Sequence, residues 1–202
     1  VGTQGLEVLL SLSKLVAAMT VAMLFQYLVF GLLILIFCQM SPMPFYRKSL
    51  EYQIIAISTG SSKASLSTTM KVCTDNLGIS DTSTSFVLPL GASINMDGTA
   101  IKLGLAALFV AQVMGMELSM MDYFVMILTS TIGSIGAAGI PGAFMVMLPM
   151  VLSSINLPIE AVALFAGVDR LLDLLSTTIN ITGDATITLI VDNSEGNLDK
   201  DK

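Results

Sequence analysis

Residues Gly91-Ala92-Ser93-Ile94-Asn95-Met96-Asp97-Gly98-Thr99-Ala100 set an amide, a carboxylate, a glycine and a hydroxyl inside a segment with apolar flanks. On an ideal helix, side chains two residues apart point about 200° from each other, so Asn95 and Asp97 converge on one site only where the backbone leaves the helix. Gly98 permits that departure. Unwound backbone at bilayer depth is tolerated only where its freed groups line a protein-enclosed cavity or bind an ion, and a lone Asp in hydrocarbon is costly unless partnered. Asp97 therefore points to a buried cation.

Composition supports the membrane setting. Of 202 residues, 54% are hydrophobic and 12% charged, and the mean hydropathy is +0.84, far from the profile of a soluble domain. A net charge of −6 and a pI near 4.4 leave no basic surface for phosphates, which excludes nucleic acid as a partner. The chain has no His, so imidazole is removed as proton relay, general base or zinc ligand. Cys38 and Cys73 show neither metal spacing nor a disulfide framework and read as inert thiols. The first residue is Val, with no signal-peptide pattern behind it, so the expectation is a piece of a longer or processed protein.

Taken in order, residues 1–14 are a mixed lead-in, and residues 15–40 hold a first transmembrane helix, since Leu15 to Phe37 gives 23 residues without a charge. Arg47, Lys48 and Lys71 lie beyond its end and mark that side as cytoplasmic. Residues 42–77 are too few for two spans, and their Ser/Thr-rich middle, Ser58 to Thr69, suits the tip of a hairpin that enters and leaves on one side; a polar cytoplasmic loop is the alternative. Residues 81–115 form a second crossing broken at Asn95 to Thr99. Residues 121–158 centre on Ser134-Ile135-Gly136-Ala137-Ala138-Gly139-Ile140-Pro141-Gly142, where Pro141 and four glycines from Gly133 to Gly142 loosen the backbone into a second hairpin tip; one kinked helix is the alternative. Residues 159–191 are the last crossing, on which Asp169, Asp173, Ser176, Thr177, Asn180 and Asp184 share one helix face that must meet a cavity, cations or basic partners. Arg170 is placed to pair with Asp169 or Asp173. Residues 192–202 read as a solvated polar tail.

The fold class expected is an all-α integral membrane protein: an inverted-repeat transporter with two re-entrant helical hairpins and a broken transmembrane helix, its Asn/Asp pair repeated as Asn95/Asp97 and Asn180/Asp184. An intramembrane aspartyl protease, built on Asp97 and Asp184, would leave both hairpins and Asn95 without a role, so the chain is not read as an enzyme. A non-transporting fragment or assembly partner is the remaining alternative of another class; a channel is weaker, because the polar groups cluster at discrete sites.

The Asn95 to Thr99 motif, the Ser61-Ser62 tip, the Ser134 to Gly142 segment, and Asp173 with Asn180-Ile181-Thr182-Gly183-Asp184 together make the chain resemble the dicarboxylate/amino acid:cation symporter family, the glutamate transporter homologues. The resemblance covers nearly the whole chain but only the C-terminal, transport-domain half of such a protein; the scaffold domain that makes the homotrimer is missing. It implies an elevator-type symporter in the plasma or inner cell membrane, multi-pass, with a cytoplasmic C-terminal tail, moving a small amino acid with sodium ions, or with protons in some members. One sodium site would use Gly91, Asn95, Asn180 and Asp184; a second, backbone oxygens near Ser93, Ser134, Ile135 and Ala137; a third, Asn95 and Asp97. Substrate would lie between the tips, its carboxylate on Ser61, Ser62 and Asn180, its ammonium on Asp173 and Thr177, its side chain toward Thr99, Gly139, Ile140 and Ser176. Acidic-amino-acid members place an Arg where this chain has Ser176 or Gly60, so the expectation is a neutral amino acid such as serine, alanine or threonine, with an acidic amino acid or dicarboxylate as the alternative. Lys63 at the first tip either serves an acidic side chain, snorkels to water or pairs with a carboxylate of the last helix.

Overall fold

The computed structural model describes residues 2–137, 142–200 and 202, and every regular element among them is helical. Helix α1 (Gly2–Leu33) runs into a wider π turn, Ile34–Cys38, and stops at Gln39, whose left-handed backbone (φ 54°) redirects the chain. Ser41 caps α2 (Pro42–Thr59) and Pro42 opens it, a position where the missing proline N–H would have had no helical partner. Gly60, at φ +64°, ends α2 with its N–H on the Ala56 carbonyl. Helix α3 (Ser62–Asp75) then starts under Ser61, whose hydroxyl accepts the Ala64 N–H. The chain reverses at these two residues, and α2 and α3 pack side by side.

Helices α4 (Asp81–Ile94) and α5 (Asp97–Val113) are separated by Asn95 and Met96 alone. Helix α6 (Met120–Gly136) opens on a reciprocal capping box between Ser119 and Asp122. Helix α7 (Ala143–Ser154) packs back on α6, forming the second helix pair. A 3-10 segment, Ile159–Phe165, leads into α8 (Asp169–Ser194).

Among the described residues, three stretches are long and apolar enough to cross a membrane: Leu10–Cys38, Asp81–Val113 and Asp169–Ser194. They differ in placement. Only 28% of the most apolar window of the first is buried, against 67% for the last, so α8 is the central post and α1 an outer wall showing Val21, Leu24, Phe25, Leu28 and Leu32 to the surroundings. Beside a small α1–α8 cluster of Met23, Phe30 and Ile179, two large apolar cores lie around α8. One joins Leu103, Phe144, Leu148, Leu152, Phe165 and Leu172, from α5, α7, the 3-10 segment and α8; the other joins Phe45, Tyr52, Val72, Leu88, Ile181 and Leu189, from α2, α3, α4 and α8. Each helix pair thus has its own core, and α8 contributes to both.

Four expectations change. Residues 1–14 are no separate lead-in, because α1 is continuous from Gly2. The bend in the second crossing falls at Asn95 (φ −91°, ψ 94°) and Met96 (φ −123°, ψ 51°), not at Gly98, which is helical. The last crossing does not begin at residue 159 as α-helix, since the 3-10 turn and Gly167 intervene. The stretch from residue 192 is not a free tail: α8 extends to Ser194, Asp192 is fully buried and accepts from the Ser80 N–H and hydroxyl, the Asp199 N–H reaches the Gly78 carbonyl at 2.9 Å, and Lys200 reaches the Cys38 carbonyl at 3.2 Å. An acid followed by polar residues looks solvated until its buried partner, here the cap of α4, is known.

Candidate functional site

The α4–α5 break is narrow and its loose ends are taken up by α8. The Asn95 N–H still reaches the Gly91 carbonyl at 2.8 Å, whereas the Gly98 N–H, at the start of α5, donates to the Asn180 side-chain oxygen at 2.8 Å. The amide of Asn180 donates in turn to Thr99 Oγ1 at 3.1 Å. A side chain from another helix thereby caps α5, replacing the partner that a helix start lacks. The approach is close enough to require glycine: a Cβ on Gly98 would stand 2.3 Å from the Ser176 carbonyl oxygen.

The polar side chains of the break lie against α8. Asn95 Nδ2 donates to Asp184 Oδ1 at 2.9 Å. A Cβ on Gly183 would meet Asn95 Nδ2 at 2.8 Å and Asp97 Oδ2 at 3.3 Å, and one on Gly91 would meet Asp184 Oδ1 at 2.7 Å. Asn95, Asp97 and Asp184 therefore surround Gly183, with Gly91 backing Asp184. Asp97 gains a donor that sequence reasoning missed, Gln26 of α1 at 3.2 Å; the signal was an amide in the otherwise charge-free run of the first span. Beside them is a cavity of about 290 Å³ lined by Gln26, Asn95, Met96, Asp97, Ser134 and Ile135, among others. Ser134 is buried, while Ile135 is 46% exposed. Ser93 bonds back to the Pro89 carbonyl on α4, and Ala137 is buried where α6 ends. No trio of acidic, Cys or His side chains close enough to enclose a metal occurs among the described residues. A cation held here would rely on two carboxylates supplemented by amide and backbone oxygens, the hard donors that an alkali ion accepts.

The other end of α8 lies between the two turns. Arg170 donates to the Thr59 carbonyl at 3.2 Å, at the first turn, and the Gly142 N–H donates to Asp173 Oδ2 at 3.3 Å, at the second. Arg170 pairs with neither Asp169 nor Asp173, contrary to one option open in the sequence. Those acids are held by Lys102 of α5, which is fully buried, with Nζ 2.9 Å from Asp173 and 3.3 Å from Asp169 and 4.3 Å from the centre of the Phe144 ring. Sequence reasoning missed Lys102, although it is a charge inside the second crossing. Lys63 is exposed and forms no ion pair among the described residues.

Of the remaining expected ligands, Thr177 and Ser176 are buried, but the Ser176 hydroxyl donates back to the Asp173 carbonyl at 3.1 Å. Ser61 caps α3 through its hydroxyl. Ser62 is buried, and its hydroxyl has no hydrogen-bond partner among the described residues. Gly139 and Ile140 lie outside the described residues.

The profile of the sodium:dicarboxylate symporter family matches residues 1–194. The chain is 44% identical over 145 residues to an excitatory amino acid transporter of Caenorhabditis elegans, which is 72% of this chain and 29% of that protein. It is 43% identical over 158 residues to excitatory amino acid transporter 1 of Homo sapiens, 78% of this chain and 29% of that protein. Excitatory amino acid transporter 2 of Mus musculus is 42% identical over 145 residues, 72% of this chain and 25% of that protein. The aligned part is thus about a quarter to a third of the length of these relatives.

Proposed function

Because the chain belongs to the sodium:dicarboxylate symporter family, we propose that it is the substrate- and sodium-carrying part of a secondary active transporter, and not an enzyme. The carrying observation is the convergence of Asn95, Asp97 and Asp184 around Gly183 at a helix break. Two acids beside one another, with amide donors and no basic side chain, hold their charge in a membrane interior most readily when a cation joins them. Sodium is the co-substrate of this reading. The α2–α3 and α6–α7 pairs are re-entrant hairpins whose turns flank the first part of α8, and the substrate sits between those turns. The unit is a transport domain that slides against a scaffold supplied by the rest of a homotrimeric protein in the cell membrane, with its C-terminal end on the cytoplasmic side.

The neutral-amino-acid expectation rested on the lack of a guanidinium at Ser176 and Gly60. Arg170 alters that reasoning, because a Cβ on Gly60 would stand 2.8 Å from its Nη1. The space left by the glycine at the first turn holds an arginine delivered from α8. With that guanidinium, the Ser62 hydroxyl, which has no partner among the described residues, and the N-terminus of α3 beside it, the site is suited to an anionic substrate. We therefore favour a carboxylate-rich solute over serine or alanine.

Thermal unfolding of the purified chain in sodium, with choline as control, tests the cation assignment. Sodium is expected to raise the apparent Tm through binding to the folded state, and Asp184→Asn to remove most of that rise. An equal rise in the variant would take Asp184 out of the site.

A further inference from the structure

Lys102 has no part in the sodium cluster and no counterpart among the expected ligands, yet it is fully buried at the substrate end of α8. Its ammonium is in contact with Asp173 and Asp169, and its third donor direction is covered by the Phe144 ring. Asp173 is itself anchored to the second turn by the Gly142 N–H, while Arg170, three residues before it, reaches the first turn. Asp169 and Asp173, in the first turns of α8, are thus both already neutralised from inside the protein. We propose, building on the transporter reading, that Lys102 is the specificity-determining residue of the substrate site: a tethered ammonium that fills the subsite for a substrate amine and selects carboxylates that carry none.

The physical basis is exclusion of like charge. A substrate bearing an α-ammonium must either displace a lysine whose stem is packed in the α5–α7–α8 core or bring a second cation beside the first, in surroundings that screen poorly. A substrate without the amine meets no such barrier, and its carboxylates are left to Arg170, Ser62 and the start of α3.

Succinate and L-aspartate differ only by the amine, so their half-saturating concentrations for thermal stabilisation in sodium give the test directly. The native chain is expected to favour succinate at least tenfold. Lys102→Met combined with Asp169→Asn, which removes the lysine without leaving two unpaired acids, is expected to reverse the preference by at least tenfold. A native preference for L-aspartate, or an unchanged ratio in the double variant, overturns the proposal. A second measurement needs no transported substrate: propylammonium is expected to stabilise Lys102→Ala and to leave the native chain unaffected, and absence of that rescue overturns the ammonium subsite. Rescue by propylammonium with no sodium-dependent response to either carboxylate in any form would instead overturn the transporter reading while sustaining the subsite.

Discussion

Ser62 and Gly98 show how single atoms separate binding from stability at this site. The Ser62 hydroxyl is buried with no partner among the described residues, so the fold carries the desolvation cost of a polar group without the bond that would offset it. Ser62→Ala is expected to leave stability unchanged or raise it by up to about 1 kcal/mol, while weakening substrate binding about tenfold; unfolding and ligand-stabilisation curves of the same preparation check both halves. Gly98 is the opposite case. It lies within α5, where alanine would ordinarily be favoured by about 1 kcal/mol, but a methyl group would press on the Ser176 carbonyl oxygen and Cα at 2.3 and 2.7 Å. Gly98→Ala is therefore expected to destabilise the chain by about 2 kcal/mol or more, since overpacking against backbone is not relieved by rotamer change, and a lowered midpoint in detergent unfolding is the readout.

Among the elements, the long apolar helices and both helix pairs were legible because each depends on local pattern. The charge-free run from Leu15 to Phe37 falls within α1 and the π turn after it, and the Ser/Thr-rich stretch contains the turn at Gly60 and Ser61. Asn95 and Asp184 were placed together only by the resemblance to the symporter family, since no local pattern joins the end of α4 to α8. What escaped is long-range: Gln26 to Asp97 and Lys102 to Asp173 each join residues 71 apart in sequence, and neither partner changes the periodicity of its own helix. The break is narrower than the expected Asn95 to Thr99 by the same limitation, because Gly98 looks like a hinge until Ser176 is seen against it. The end of α8 follows this pattern, since Asp192 is the buried acceptor that fixes the Ser80 cap of α4. Asp192→Ala would strand the Ser80 N–H in the interior and is expected to cost about 1–3 kcal/mol, measured by denaturant unfolding, with the sodium response of the remaining folded fraction preserved because the change lies outside the cation cluster.

For the whole molecule, the sites proposed for cation and substrate lie on either side of one short piece of backbone. Asn95 faces Asp184 in the proposed cation cluster, and two residues after Met96 the Gly98 N–H and Thr99 hydroxyl are held by Asn180, a proposed substrate ligand. In the transporter reading proposed above, ordering the break for one ligand would order it for the other, and the α4–α5 junction would be the physical link between them. Linkage then demands reciprocity: if sodium tightens substrate binding by some factor, substrate must tighten sodium binding by the same factor, typically about 5–150-fold for a coupled pair. Asn180→Ala frees the start of α5 from α8 while leaving the Asn95 to Asp184 contact in place, so it is expected to bring both factors toward one together, with sodium binding alone altered less than the coupling. A matrix of unfolding curves over sodium and substrate concentrations measures all four affinities. Coupling that survives intact in this variant would show that the two sites communicate by another route, through the α6–α7 pair and not through the break.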